Sequence, residues 1–321
     1  MKKWIALFFL VPCFVNAQSN YPNKPITMII PFAPGGASDF VGRILQPRLS
    51  EVLGQQVVIV NRPGASGNIG LEAGARAAPD GYTIYLGNSG TVVINISVFP
   101  KLPVTPTKDF IAVTQVVDVP GVLVAHPSFQ ANTVKELVAQ AKAHPGKINY
   151  ASPGSGSQNR LETENFRKIA GNLDMVHIPY KGGAGPAITG LVAGETHIMF
   201  VTASSAMPMI KSGRLKVYAI TATKRSPELP NVPTMAEEGF PGFDSGSWQG
   251  IFVPAGTPRP VVDRLFAAAQ QTMKSPEVIE RLAKGGVDVV TSNSSAEFQT
   301  FVARETEKWA KIVKESGATP D

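Results

Sequence analysis

The sequence predicts an α/β protein built as two lobes of similar design. Three observations carry that expectation. Apolar runs of strand length alternate with stretches of helical spacing along most of the 321 residues, the pattern of parallel sheets covered by helices. The order strand, glycine turn, helix begins twice, near residues 26 and 147. Two extended stretches, VVDVPGVLVAHPSF (116–129) and FDSGSWQGIFV (243–253), interrupt the alternation and read as a first crossing and a return between the lobes. The first lobe is then discontinuous, 18–121 with 247–321, and the second spans 122–246.

Ahead of these lobes, MKKWIALFFLVPCFVNA (1–17) has the order of a secretory signal: Lys2 and Lys3, an apolar run from Trp4 to Val15, then the small residue Ala17. The run is about a dozen residues, short of the roughly 20 that span a bilayer. Cleavage would remove Cys13, the one cysteine, so the mature chain would lack disulfides, a thiol nucleophile and thiolate metal ligands. Losing two lysines would also take the formal charge from +6 to +4. No Lys/Arg-rich run exists, so nucleic acid is not an expected partner.

The elements follow in order. ITMIIPF (26–32) is a buried strand, and from Phe40 the residues Val41, Ile44, Leu45, Leu49, Val52 and Leu53 keep helical spacing up to Gly54, a C-terminal cap. Pro47 inside that helix predicts a kink. QVVIV (56–60) and YTIYLG (82–87) are strands flanking a helix opened by Asn68. Thr133 and Glu136 form a capping box for a helix reaching about Ala143. Strands KINYAS, MVHIPY, HIMFV and LKVYAIT then alternate with helices near 158–169, AITGLVAG and TASSA. SWQGIFVPAG (247–256) is a strand, RPVVDRLFAAAQQTMK and PEVIERLAKGG are helices, and a long amphipathic helix with Phe298, Phe301, Trp309 and Ile312 near one face ends the chain.

Ligands of open α/β sheets bind beyond the carboxyl ends of the strands. The loops expected there are APGGASD, GNSGT, SPGSGSQ, YKGGAG and TASSA, each rich in Gly, Ser or Thr. Helix N-termini offer unpaired N–H groups and partial positive charge, and glycine lets an anion come close. Taken singly, each glycine turn is ordinary turn chemistry; five at facing sheet edges predict a cleft for a small anion. A P-loop, a dinucleotide fingerprint and a G-x-S-x-G nucleophile elbow are all missing from the sequence. None of the four histidines has H-E-x-x-H spacing, and His177 and His197 fall in apolar strands. Neither a cofactor nor a metal is expected, and a binding protein is favoured over an exported enzyme; delivery to a transporter and a sensory partnership with a membrane kinase are both open to such a binding protein.

Together these loops resemble the solute-binding proteins of tripartite tricarboxylate transport systems, the Bug proteins. The carrying residues include YPNKPITMIIPFAPGGASD, NRPGASGNIG, AAPDGYTI, INYASPGSGS, HIPYKGGAGPAITGLVAG and GIFVPAGTPRPVVDRL, and the match runs through essentially the whole chain after residue 17. The resemblance implies a type II periplasmic binding protein fold, two-lobed, closing on a small carboxylate. It implies that the protein works in the periplasm as a monomer and hands its ligand to the membrane permease subunits of such a transporter. Carried over residue by residue, it places Phe32, Ala33, Gly36, Ser38, Asp39, Asn88, Ser89 and Thr91 on the first-lobe side of the cleft. Ser155, Gly156, Ser157, Tyr180, Lys181, Thr202 and Ala203 fall on the second. Many relatives carry a histidine shortly after the GSGS-type turn, where this chain has SQNR, so no ligand contact is carried over to Asn159 or Arg160. Arg160 there is expected to be a solvated helix residue, the alternative being a charge toward the ligand that relatives lack.

Overall fold

The computed structural model describes residues 21–154, 157–243 and 245–316, so the segment read as an export signal lies outside them. The first sheet grows from β1 (Ile26–Ile30), whose apolar run is almost wholly buried between two parallel neighbours. α1 (Ala37–Leu53) buries Val41, Ile44, Leu45, Leu49 and Leu53 and runs on through Pro47. It stops at Gly54, which is left-handed and bonds its N–H to the Glu51 carbonyl at 3.1 Å. Gly42 lets α1 lie close on the sheet, since a Cβ there would stand 2.7 Å from Ile30 Cδ1. β2 (Val57–Asn61), α2 (Asn68–Ala75) and β3 (Thr83–Asn88) complete the parallel unit β2-β1-β3. Two short helices, α3 (Asn95–Val98) and α4 (Pro106–Asp109), lead to β4 (Phe110–Ala125).

The second sheet follows: α5 (Val134–Ala143), β5 (Asn149–Ser152), α6 (Gln158–Ile169), β6 (Val176–Pro179), α7 (Ala184–Val192), β7 (Ile198–Thr202), α8 (Ala203–Lys211) and β8 (Lys216–Ile220). The capping box at α5 is present in a shifted form. Thr133 Oγ1 accepts from Glu136 N at 3.1 Å, while the Glu136 carboxylate reaches back to Asn132 N at 2.7 Å. The chain returns through β9 (Gly246–Pro254) and closes with α9 (Arg259–Met273), α10 (Pro276–Lys284), β10 (Asp288–Val289) and α11 (Ser295–Ser316).

The crossings correct one expectation. The first crossing is part of a single strand, residues 110–125, that passes through Pro120 and Gly121 and belongs to both sheets. β4 pairs with β9 as far as Pro120 and with β7 from Gly121 onward, so the missing N–H of Pro120 falls where the ladder changes partner. The sheets are therefore mixed, not wholly parallel, in the order β2-β1-β3-β9-β4-β7-β5-β6. One linking strand leaves as the other returns, and strands running in opposite directions pair antiparallel.

Each sheet is covered on both faces. α1, α9 and α10 enclose Ile30, Leu45, Val117 and Leu265, and the opposite face of that sheet holds an aromatic core of Tyr85, Trp248, Phe252 and Phe298. In the second sheet α5 and α6 pack over Leu123, Tyr150 and Phe200, and α7 and α8 over Val124 and Val201. In α11, Phe298 and Trp309 are buried with Phe301 and Ile312 alongside, as their spacing predicts.

Candidate ligand-binding cleft

α1 begins in the first lobe and α6, α7 and α8 begin in the second, and residues from all four starts line one cavity of about 50 Å³. The caps of α1, α7 and α8, which are Gly36, Gly183 and Thr202, make no side-chain capping bond. Their first-turn N–H groups, which Pro186 of α7 lacks, have no acceptor within the helix, the arrangement that suits an anion. At α6 the Ser157 side chain caps Arg160 N. Gly35 (φ 90°) and Gly183 (φ 104°) hold left-handed turns beside the cavity. A Cβ on Gly183 would also stand 2.8 Å from Phe32 Cδ1 across the lobes.

The lobes touch. Ala33 N donates to the Gly182 carbonyl at 2.9 Å, and Ser89 Oγ donates to Gln158 Oε1 at 2.6 Å. Residues of the two lobes thus meet beside the small cavity. Among the described residues none of its lining side chains carries a formal charge; the polar ones are hydroxyls and amides.

Of the residues expected at the site, Phe32, Gly36, Ser38, Asn88, Ser157 and Thr202 line the cavity. Ser155 and Gly156 lie outside the described residues. The structure places the others behind the wall or beside it. Ala33 makes the interlobe bond just given. Ser89 is fully buried, bonded to Gln158 and 3.0 Å from Ser247 Oγ. Thr91 is buried and accepts from Tyr85 Oη at 2.8 Å. Ala203 is buried, and Lys181 is exposed at the head of its glycine turn. Tyr180 turns onto α7, donating to Glu195 Oε2 at 2.7 Å; burial and that carboxylate push its hydroxyl up to about 12.

Asp39 anchors the first glycine loop. Its carboxylate accepts from Gly35 N at 3.2 Å, Arg43 Nε at 2.9 Å and Asn61 Nδ2 at 3.1 Å, and Asn61 also holds the Phe32 carbonyl at 2.9 Å. Burial alone would raise its pKa; the bonds from Arg43, Asn61 and Gly35 outweigh it and hold the carboxyl below its ordinary value. Arg160 is not solvated as expected. Its side chain is 13% exposed and sits 4.0 Å from Glu164.

The cavity also takes in Ser66, Gln158, Asn159 and Ser247, none of which is among the residues expected to line it. Ser66 lies within NRPGASGNIG and has a left-handed backbone (φ 55°), a strained conformation for serine that only the structure reveals. Gln158 and Asn159 are the two middle residues of the SQNR departure.

A larger cavity, about 630 Å³, lies between α6 and α11, lined by Glu164, Arg167, Lys168, Lys308 and Trp309 among others. Its wall combines helix flanks with residues 242–243 and 245–246 and carries carboxylates beside its cations, Glu164 with Arg167 and Glu305 with Lys308, rather than clustered helix starts, so the smaller cavity is the better candidate for an anion. Ser152 Oγ lies 2.6 Å from His177 Nε2, but Ser152 is fully buried and closed to a substrate. Among the described residues no group of three or more His, Cys, Asp or Glu side chains is placed to hold a metal ion.

Residues 41–318 match the family described as the tripartite tricarboxylate transporter family receptor. The chain belongs to this receptor family. BugT of Bordetella pertussis is 38% identical over 303 residues, 94% of this chain and 92% of that protein. Among solved structures, this receptor resembles the periplasmic binding protein BugD, with a TM-score of 0.89 and 35% identity, covering 94% of this chain and all of that one. MatC from Rhodopseudomonas palustris, solved with bound malate, superposes with a TM-score of 0.86 at 33% identity, over 91% of this chain and 100% of that one. R. palustris Rpa4515, solved with adipate, gives 0.90 at 31% identity, over 94% and 100%. The receptor thus has the two-lobed fold of periplasmic binding proteins, and the family consists of solute-binding proteins rather than enzymes.

Proposed function

We propose that this receptor is a periplasmic solute-binding protein that closes its two lobes on a small carboxylate and presents it to the permease of a tripartite tricarboxylate-type transporter. The observation that carries this reading is the cavity itself: four helix starts from both lobes around a wall without formal charge. A carboxylate accepting several charge-assisted bonds, at roughly 1.5–3 kcal/mol each, can reach the approximately −8 kcal/mol of micromolar binding after ordering costs. Malate and adipate in the related structures support a carboxylate. The lobes are assigned as 18–121 with 247–321, and 122–246. Residues 1–17 are assigned as the export signal, and the protein is assigned as a monomer.

The test is a melting-temperature screen against malate, adipate, citrate, glutamate and benzoate, since a ligand that binds only the folded state raises the transition. A rise with one or more acids, and recovery of the acid chemically unchanged, supports the reading. No rise with any carboxylate refutes it.

A further inference from the structure

Gln158, the first residue of α6, is 4% exposed, and every hydrogen-bonding group of its side-chain amide is engaged. Oε1 accepts from Ser89 Oγ at 2.6 Å, joining the second lobe to the first. Nε2 donates to the Gly246 carbonyl at 2.6 Å, on the strand that returns between the lobes. It also donates to Glu162 Oε1 at 3.1 Å, one turn along α6. Because Ser89 gives its proton to Gln158, the Ser247 hydroxyl, 3.0 Å away, is the donor to Ser89. Both N–H groups and the carbonyl oxygen of one neutral amide therefore tie together α6, the return strand and the first lobe. The same side chain lines the ligand cavity.

We propose that Gln158 is the latch of lobe closure, a positioning residue that stabilises the closed arrangement through Ser89 while facing the ligand. The inference rests on the closure reading above. Opening the lobes separates Ser89 from Gln158 and leaves two polar groups to find water. The other interlobe bond described above, Ala33 N to Gly182, is main chain on both sides, so it carries no residue identity. The Gln158–Ser89 bond does carry identity, and its net effect on the closed-to-open ratio is roughly three- to ten-fold.

The experiment uses the mature protein with Ser89→Ala, Gln158→Leu and both changes together. Small-angle scattering follows compaction while malate, adipate, citrate, glutamate and benzoate are titrated in turn. Ser89→Ala removes one hydroxyl and keeps the test available if Gln158→Leu fails to fold. For an acid that compacts the wild type, each single variant is expected to need roughly three- to ten-fold more acid for half-compaction. The double variant is expected to need no more than Gln158→Leu alone, the non-additivity of a shared bond. A Gln158 that merely touched the ligand would weaken binding in Gln158→Leu and leave Ser89→Ala like wild type; that result, or strictly additive losses, overturns the latch while the binding function stands. If no acid compacts the wild type, closure itself is refuted, a distinct outcome that removes the latch with it.

Discussion

Gly36 offers the sharpest perturbation of the cleft, because its surroundings separate folding from binding. Its backbone (φ −88°, ψ 172°) is extended and open to any residue. A Cβ there would meet Ala184 Cβ at 3.8 Å and the Ala33 carbonyl at 4.0 Å, both ordinary contacts. Gly36→Ala should therefore leave the ligand-free melting temperature within about 1 °C of wild type. Gly36→Phe sends a ring into a cavity of about 50 Å³, leaving no room for an acid beside it. At an acid concentration near 1,000 times the dissociation constant, wild type gains about 4.1 kcal/mol. With an unfolding entropy of about 2.1 cal/mol/K per residue, about 0.6 kcal/mol/K for a chain of this size, that is a rise of roughly 6 °C. In Gly36→Phe the rise is expected to fall below about 1 °C. A full rise in a Gly36→Phe protein that melts normally without ligand would show that the first glycine loop is not the site.

Other perturbations probe the supports. Asp39 has a lowered pKa when folded, so its bonds contribute stability above the unfolded carboxylate value of about 3.9, and that stability is lost as pH falls through the lowered value. Asp39→Asn should be less stable than wild type at pH 6, with the two acid-unfolding curves converging below the carboxylate range; parallel curves would show that the carboxylate contributes nothing to folding. In Gly190→Ala the new Cβ would fall 2.1 Å from Tyr180 Oη. Overpacking of this kind costs about 1–3 kcal/mol and should lower the melting temperature by roughly 2–5 °C. An unchanged transition would show that the Tyr180 ring swings aside at a cost no larger than the roughly 1 kcal/mol that alanine gains over glycine within a helix. Trp248 is 3% exposed, with its ring 5.8 Å from Phe298 and 5.5 Å from Phe301. Its emission should be blue-shifted and unchanged by a binding acid, and a ligand-dependent red shift would place it at a moving junction instead.

The strand–glycine turn–helix order was legible because each of its parts leaves a local mark: a buried apolar run, a residue tolerant of close approach, then helical spacing. ITMII and Val41 to Leu53 show this at β1 and α1. β4 was not legible as one strand. Pro120-Gly121 is a break signal in any local reading, and only the change of partner from β9 to β7 makes it compatible with an unbroken strand. In the cleft, sequence adjacency marked the loops but not which way their side chains turn. Asp39 and Thr91 share the loops of Gly36 and Asn88, yet their side chains are used to hold those loops in shape. Gln158 left no signal, since a polar residue at a helix start looks like ordinary surface. Its bonds to Ser89 and Gly246 join positions 69 and 88 residues apart.

Among the described residues the cavity wall holds no cation, and that fits the lobe closure proposed above. Asp39 puts a carboxylate in the first turn of α1, a poor neighbour for a second anion. Arg43, one turn on at 2.9 Å and 55% exposed, offsets that charge from outside the cleft, so the guanidinium acts on the loop rather than on the guest. The positive field left for a ligand is that of the helix ends, each equivalent to roughly half an elementary charge. One end, α1, belongs to the first lobe, and α6, α7 and α8 begin in the second. A lysine on either lobe would hold an acid in the open form without help from the other. Partial charges divided between the lobes match a carboxylate fully only when both are on it, and expelling water then strengthens every bond. In the function proposed above, recognition and closure are therefore the same event.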